Sequence, residues 1–257
     1  MSQVPWNEFL ALDYSRDCKE SERLCLVVDP DEEPYKSKEE AIVLLTKLKE
    51  KVESYLPSAK ETAEEGAVVD HLAFLNLRIG SLAIETEQWG VGGPMVESAV
   101  LQFEKTPASN LTSLQDGYNT LGILWCNRED HNVAEKWLKK SEELYLKRDC
   151  TDESPDAKST RQNKYRQTLF YLAQVYGHLG QPDRSAEYCG STLEISAKSF
   201  AELDCADWAQ NAAQLAGYYV GQGEFHSAER CLAAASAVME LGNSEAAEVL
   251  ANIQLAR

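Results

Sequence analysis

The chain of 257 residues is 44% hydrophobic and carries 42 acidic against 25 basic residues, a formal charge of −17. A field of that sign repels nucleic acid and anionic lipid, which argues against both as main partners and favours a basic protein surface. Seven scattered cysteines, an N-terminal stretch without an apolar core and the lack of a membrane-length apolar window are the pattern expected of a cytoplasmic protein with reduced thiols.

Helical periodicity runs along the whole sequence, and no segment alternates as a strand does. The spacing predicts a first helix over residues 4–19, then a polar connector, "DPDEEPYKSK". Ser37 is expected to cap a helix running to Tyr55, with Glu40 as its capping-box partner. Further helices are predicted over 63–88, 94–105, 110–127, 132–148, 161–179, 182–199, 206–221, 224–241 and from Ser244 onward. "WGVGGP" (89–94) reads as an interhelical turn, and "RDCTDESPDAKST" (148–160) as a surface loop. The domain reading is residues 1–60 as N-terminal helices and connector, and 61–257 as one repeat domain.

Internal repetition is the most informative feature. A small residue is followed three positions later by an aromatic one, and a second small residue lies twelve positions after the first. In "LGILWCNREDHNVAEKW" these are Gly122, Trp125 and Ala134. In "LFYLAQVYGHLGQPDRSAEYC" they are Ala173, Tyr176 and Ser185, beside Ala186. In "LAGYYVGQGEFHSAERC" they are Ala216, Tyr219 and Ala228. An earlier segment fits weakly through Gly80 and Gly92. Two antiparallel helices can approach closely only where small side chains face each other, and the aromatic residue is expected to fill the space towards the next pair. Gly180 ends one helix, and Pro182 opens the next at a position that needs no N–H donor. The fold class is therefore all-α: a tetratricopeptide-like, right-handed α-solenoid of antiparallel helix pairs.

The chemistry of a catalytic site is missing. There is no phosphate-binding GxxxxGK loop, no dinucleotide fingerprint after a strand, no HExxH and no CxxC. The four histidines fall in separate repeats, so no metal centre is expected. No cofactor and no small-molecule substrate are implied, and the chain reads as a binding scaffold rather than an enzyme.

In a solenoid of helix pairs, the first helix of each pair lines the concave side. Tyr171 and Gln174 share a face of one first helix, and Asn211 and Gln214 repeat that spacing in the next pair. Asn119 holds a similar place one pair earlier. These are the candidate partner-binding residues. Core packing is the competing role for Tyr171, and internal capping of helices for the amides. A general adaptor that grips a peptide carboxylate is the alternative function. It needs basic residues on first helices, and these are poor in Lys and Arg after Arg166.

Several stretches resemble the KIF-binding protein family in order and spacing. They are "VPWNEF", "EPYKSK", "NTLGILWCNRED", "LFYLAQVYGHLG" with "AEYCGSTL", "WAQNAAQLAGYY" and "AERCLAAASAVM". The resemblance implies a helical solenoid that clasps the microtubule-binding face of certain kinesin motor domains and blocks their attachment to microtubules. It also implies that Tyr171, Gln174 and Gln214 occupy motor-facing positions, with a loop near Glu194–Ser196 contributing. The family is more than twice as long as this chain.

Overall fold

A computed structural model describes residues 4–62, 64–106, 110–147, 155–197 and 205–241, and every regular element among them is helical. The segment from Ser244 and the residue Cys150 lie outside the described residues. In chain order the elements are α1 (Trp6–Phe9), a π-helical turn (Leu10–Tyr14), α2 (Ser15–Cys25), α3 (Lys36–Glu53), α4 (Leu56–Ala59), α5 (Glu65–Glu85) and α6 (Trp89–Phe103). Then come α7 (Leu111–Asn127), α8 (His131–Lys147), α9 (Pro155–His178), α10 (Pro182–Ala197), α11 (Cys205–Gln222) and α12 (Phe225–Leu241). The chain divides into two compact units, Met1–Leu124 and Trp125–Arg257.

The expected division at residue 60 is not where the units part. Leu45, Leu48, Val52 and Tyr55 share one apolar core with Val68, Leu75, Ile79 and Leu82, so α3 and α5 pack as one body. Contrary to the sequence expectation, α5 is long and apolar enough to cross a membrane, and half of that stretch is buried within the fold. Trp6 and Phe9 close that core around Tyr55, with ring centroids 5.1 and 5.0 Å away, and the Tyr55 hydroxyl donates to the Val4 carbonyl at 2.9 Å. Within the first unit, α6 lies back along α5 through two glycines. A methyl group placed on Gly92 would stand 2.5 Å from the Gly80 carbonyl oxygen, and one on Gly80 would stand 2.9 Å from that of Gly92. Only hydrogen fits at this crossing.

Four sequence expectations change here. The "WGVGGP" stretch is not a turn, because α6 begins at Trp89 and the Gly80–Gly92 contact joins two helical backbones. The capping box at Ser37 does not form. α3 begins at Lys36, and it is Asp29 that accepts from the Ser37 amide (2.8 Å) and hydroxyl (2.6 Å). α9 reaches back to Pro155, since proline is favoured at a helix's first position, and so occupies half of the expected loop. Glu194–Ser196 lie inside α10, not in a loop.

The second unit is built of helices packed in sequence, with α9 on α8 and α10, and α11 on α10 and α12. Its C-terminal core gathers Ala186, Leu193, Trp208, Ala212, Ala228 and Val238. The helix-to-helix turns α5–α6, α7–α8, α9–α10 and α11–α12 share one backbone device. Glu87, Glu129, Gly180 and Gly223 all have φ between 61° and 77°. The next residue donates its amide back across the turn: Gln88 to Ala83, Asp130 to Trp125, Gln181 to Tyr176 and Glu224 to Tyr219, at 2.7–3.0 Å. This Schellman closure satisfies carbonyls that the helix end leaves open. In three of the four turns the accepting carbonyl belongs to the aromatic residue of the small–aromatic–small pattern, which fixes where that pattern sits relative to the helix end.

Candidate partner-binding face

The helix α9 carries no charged residue from Gln167 to His178, and α11 carries only Asp207. In a chain with a charge of −17, the second half of α9 and the run of α11 after Asp207 stand out as neutral. Along this uncharged stretch of α9 the exposed residues are Gln167, Phe170, Gln174, Gly177 and His178. On α11 they include Gln210, Ala213, Gln214 and Gly217. Helical spacing keeps each group on one side.

The inner side of α9 explains its register. Leu172, Val175 and Tyr176 are buried against Ala134 and Leu138 of α8. Tyr176 therefore faces the preceding helix pair, not the next one as expected. Its hydroxyl donates to a Glu135 carboxylate oxygen at 2.8 Å, and burial with that bond pushes the phenol up to about 12. Its ring stacks 5.4 Å from Tyr188, and the Arg184 guanidinium lies 5.3 Å from its centre. Tyr188 extends the polar seam. Its hydroxyl lies 2.9 Å from the Lys139 ammonium and 3.1 Å from the Glu142 carboxylate, and Lys139 pairs directly with Glu142. Desolvation works against the Lys139 cation, but its bonds to Glu142 and Tyr188 win and raise its pKa.

Tyr171 and Gln174 come together, as their spacing predicts, on the rim of a cleft of about 100 Å³. Cys126, His131 and His178 also line it. Tyr171 is half-buried and packs its ring edge-on to Phe170, and burial raises its hydroxyl pKa. Gln174 is exposed. The rings of His131 and His178 stack 4.3 Å apart at an interplanar angle of 7°. The His131 Nδ1 and Trp125 Nε1 atoms are buried without a hydrogen-bond partner among the described residues. Burial alone pushes the Cys126 thiol up to about 11, which keeps it protonated and unreactive.

Gln214 is exposed and Asn211 half-buried, both on α11. Asn119 differs from expectation. It is only 3% exposed, so its amide lies in the interior and not on an open face. The histidine pair was not foreseen, because His131 opens α8 and His178 closes α9, and no sequence period links those positions.

A family model described as "KIF-1 binding protein C terminal" matches residues 206–253. The chain is 30% identical to a KIF-binding protein of Gallus gallus, over 82% of this chain and 38% of that one. It is 29% identical to the KIF-binding protein of Homo sapiens, over 93% of this chain and 45% of that one. A solved structure titled "Kinesin binding protein (KBP)" superposes with a TM-score of 0.68 at 29% identity, covering 95% of this chain and 49% of that chain. BtubC (BKLC) from P. vanneervenii shares the fold alone, with a TM-score of 0.58 at 16% identity. The chain thus spans about two-fifths of the length of the curated relatives it matches.

Proposed function

The chain belongs to the KIF-binding protein family, and we propose that it binds a kinesin motor domain through the neutral faces of α9 and α11. The observation that carries this reading is similarity along most of the chain to relatives named for that binding.

Physical chemistry supports it. A surface that docks on acidic tubulin must itself be basic. A scaffold of charge −17 attracts such a surface at long range, and the attraction weakens as salt rises. At short range the contact is made by Tyr171, Gln174, Asn211 and Gln214, which need no ion pair to be desolvated. Occupying the motor's microtubule-binding face blocks its attachment to microtubules and so restrains microtubule-based transport. The chain then works in the cytoplasm, where motors and microtubules meet, as a binding partner that carries out no reaction.

The test is titration of the purified chain against a panel of kinesin motor domains, followed by microtubule co-sedimentation of any motor that binds. Saturable binding that keeps the motor off microtubules supports the proposal. A panel in which no motor binds overturns it, and a motor that binds both partners at once removes the blocking mechanism.

A further inference from the structure

Leu26, Val27 and Val28 are 83%, 44% and 94% exposed. Three consecutive bulky aliphatic side chains left in water are costly in a folded protein, and such clusters mark interaction sites. They follow directly on α2, and residues 30–34, "PDEEP", continue the exposed run. Glu33 is paired with Lys36 at 2.6 Å, which leaves Asp31 and Glu32 to carry the segment's unpaired negative charge among the described residues.

The segment is held in place. The amides of Leu26 and Val27 donate to the Arg23 and Leu24 carbonyls at 3.2 and 3.1 Å. Asp29 holds the amide and hydroxyl of Ser37, and these bonds, the hydroxyl's first, keep its carboxyl below its ordinary pKa. An apolar tip is thus presented between two anchors, beside an acidic flank. Because both ends are fixed before a partner arrives, little ordering entropy is lost on docking.

We infer that Leu26–Glu33 is a second docking element of the first unit, whose occupant is the basic face of the kinesin motor. The aliphatic side chains enter an apolar recess, and Asp31 and Glu32 meet the Lys and Arg residues around it. Charge complementarity selects this occupant, since an anionic membrane is repelled by the same carboxylates. The inference rests on the proposed motor binding for the identity of its partner, and it adds a contact far along the sequence from Tyr171 and Gln174.

The test uses the whole chain and one motor domain that binds it. Leu26→Ser with Val28→Ser should weaken binding about tenfold with an unchanged melting temperature. Asp31→Lys with Glu32→Lys should slow association and flatten its salt dependence. Amide exchange of residues 26–33 should slow when the motor is bound. If the wild type binds the motor while both variants bind equally well and the amides stay unprotected, the inference is overturned and the proposed function stands. If no motor binds the wild type, both fall. A loss of melting temperature in the serine variant, or self-association that the same variant abolishes, also overturns it by assigning these side chains to the fold or to a second copy.

Discussion

The Ser185 hydroxyl donates to the Ala173 carbonyl across 2.7 Å, joining the two small positions of one helix pair. A hydroxyl can reach a helical carbonyl on a neighbouring helix only where the backbones lie unusually close. Ala173→Leu should therefore force α9 and α10 apart and cost roughly 1–3 kcal/mol by overpacking. Gln181→Ala, in the turn, should cost about 0.5 kcal/mol. Thermal melts of the two variants measure the difference, and equal losses contradict the packing.

The glycine run that opens α6 makes a sharper comparison. A methyl group on Gly92 meets the Gly80 carbonyl at 2.5 Å and Ile84 Cγ1 at 2.7 Å, whereas one on Gly90 meets nothing within 4 Å. Gly92→Ala should destabilise by about 3 kcal/mol, because the obstacle is backbone and cannot rotate away. Gly90→Ala should stabilise by roughly 0.5–1 kcal/mol, since alanine loses less freedom in a helix. Denaturant midpoints of the two variants should move in opposite directions.

The turns predict a gain at an acidic residue. Glu129 has φ 61°, a conformation that strains an L side chain and suits glycine. Glu129→Gly should stabilise by on the order of 0.5–1 kcal/mol, and Gly180→Ala, at φ 69°, should destabilise by about 1 kcal/mol. Both values come from equilibrium unfolding. A loss at Glu129→Gly would mean that its side chain makes a contact worth more than the strain.

Much of the fold was legible because it rests on local rules. Small–aromatic–small spacing located the pairs, and Gly180 with Pro182 marked one turn. The turns at Glu87 and Glu129 lack that signature, since a left-handed glutamate looks ordinary in sequence. The start of α6 was misread because glycines suggest a turn, whereas Gly80 and Gly92 are there for close helix packing, which only the fold reveals. The α3 cap was misassigned for a related reason: Asp29 acts from eight residues upstream, beyond any local capping pattern. Tyr171 and Gln174 were found as a pair by helical spacing. His131 and His178 come together only by packing, and Asn119 looked exposed because an amide on a repeat helix reads as surface.

Asp29 predicts an acid dependence. Its carboxyl is held below the ordinary value of 3.8 by its bonds to Ser37, so the folded state favours the ionised form. The stability it supplies is complete above that value and is lost as pH falls through the lower folded-state one. Unfolding midpoints measured between about pH 5 and pH 2 should fall more steeply for the wild type than for Asp29→Asn, which lacks the titrating group. Parallel curves would show that the carboxylate does not hold α3.

The partner face can be tested apart from the fold, because its residues differ in burial. Gln174 and Gln214 are exposed, so Gln174→Ala and Gln214→Ala should leave the unfolding free energy within about 0.5 kcal/mol of wild type. Tyr171 is half-buried, so Tyr171→Ala removes packing as well as a contact, and Tyr171→Phe keeps the ring while deleting the hydroxyl. Interfaces draw much of their affinity from a few desolvated anchors, and tyrosine is a favoured one. Tyr171→Ala combined with Gln174→Ala should weaken binding to a responsive motor domain by roughly 1–4 kcal/mol, with helical content retained. Calorimetric titration gives the affinities, and circular dichroism on the same samples gives the folding control. Should Gln174→Ala and Gln214→Ala bind as wild type does while Tyr171→Ala merely unfolds the chain, then Tyr171 is a packing residue and the motor docks elsewhere.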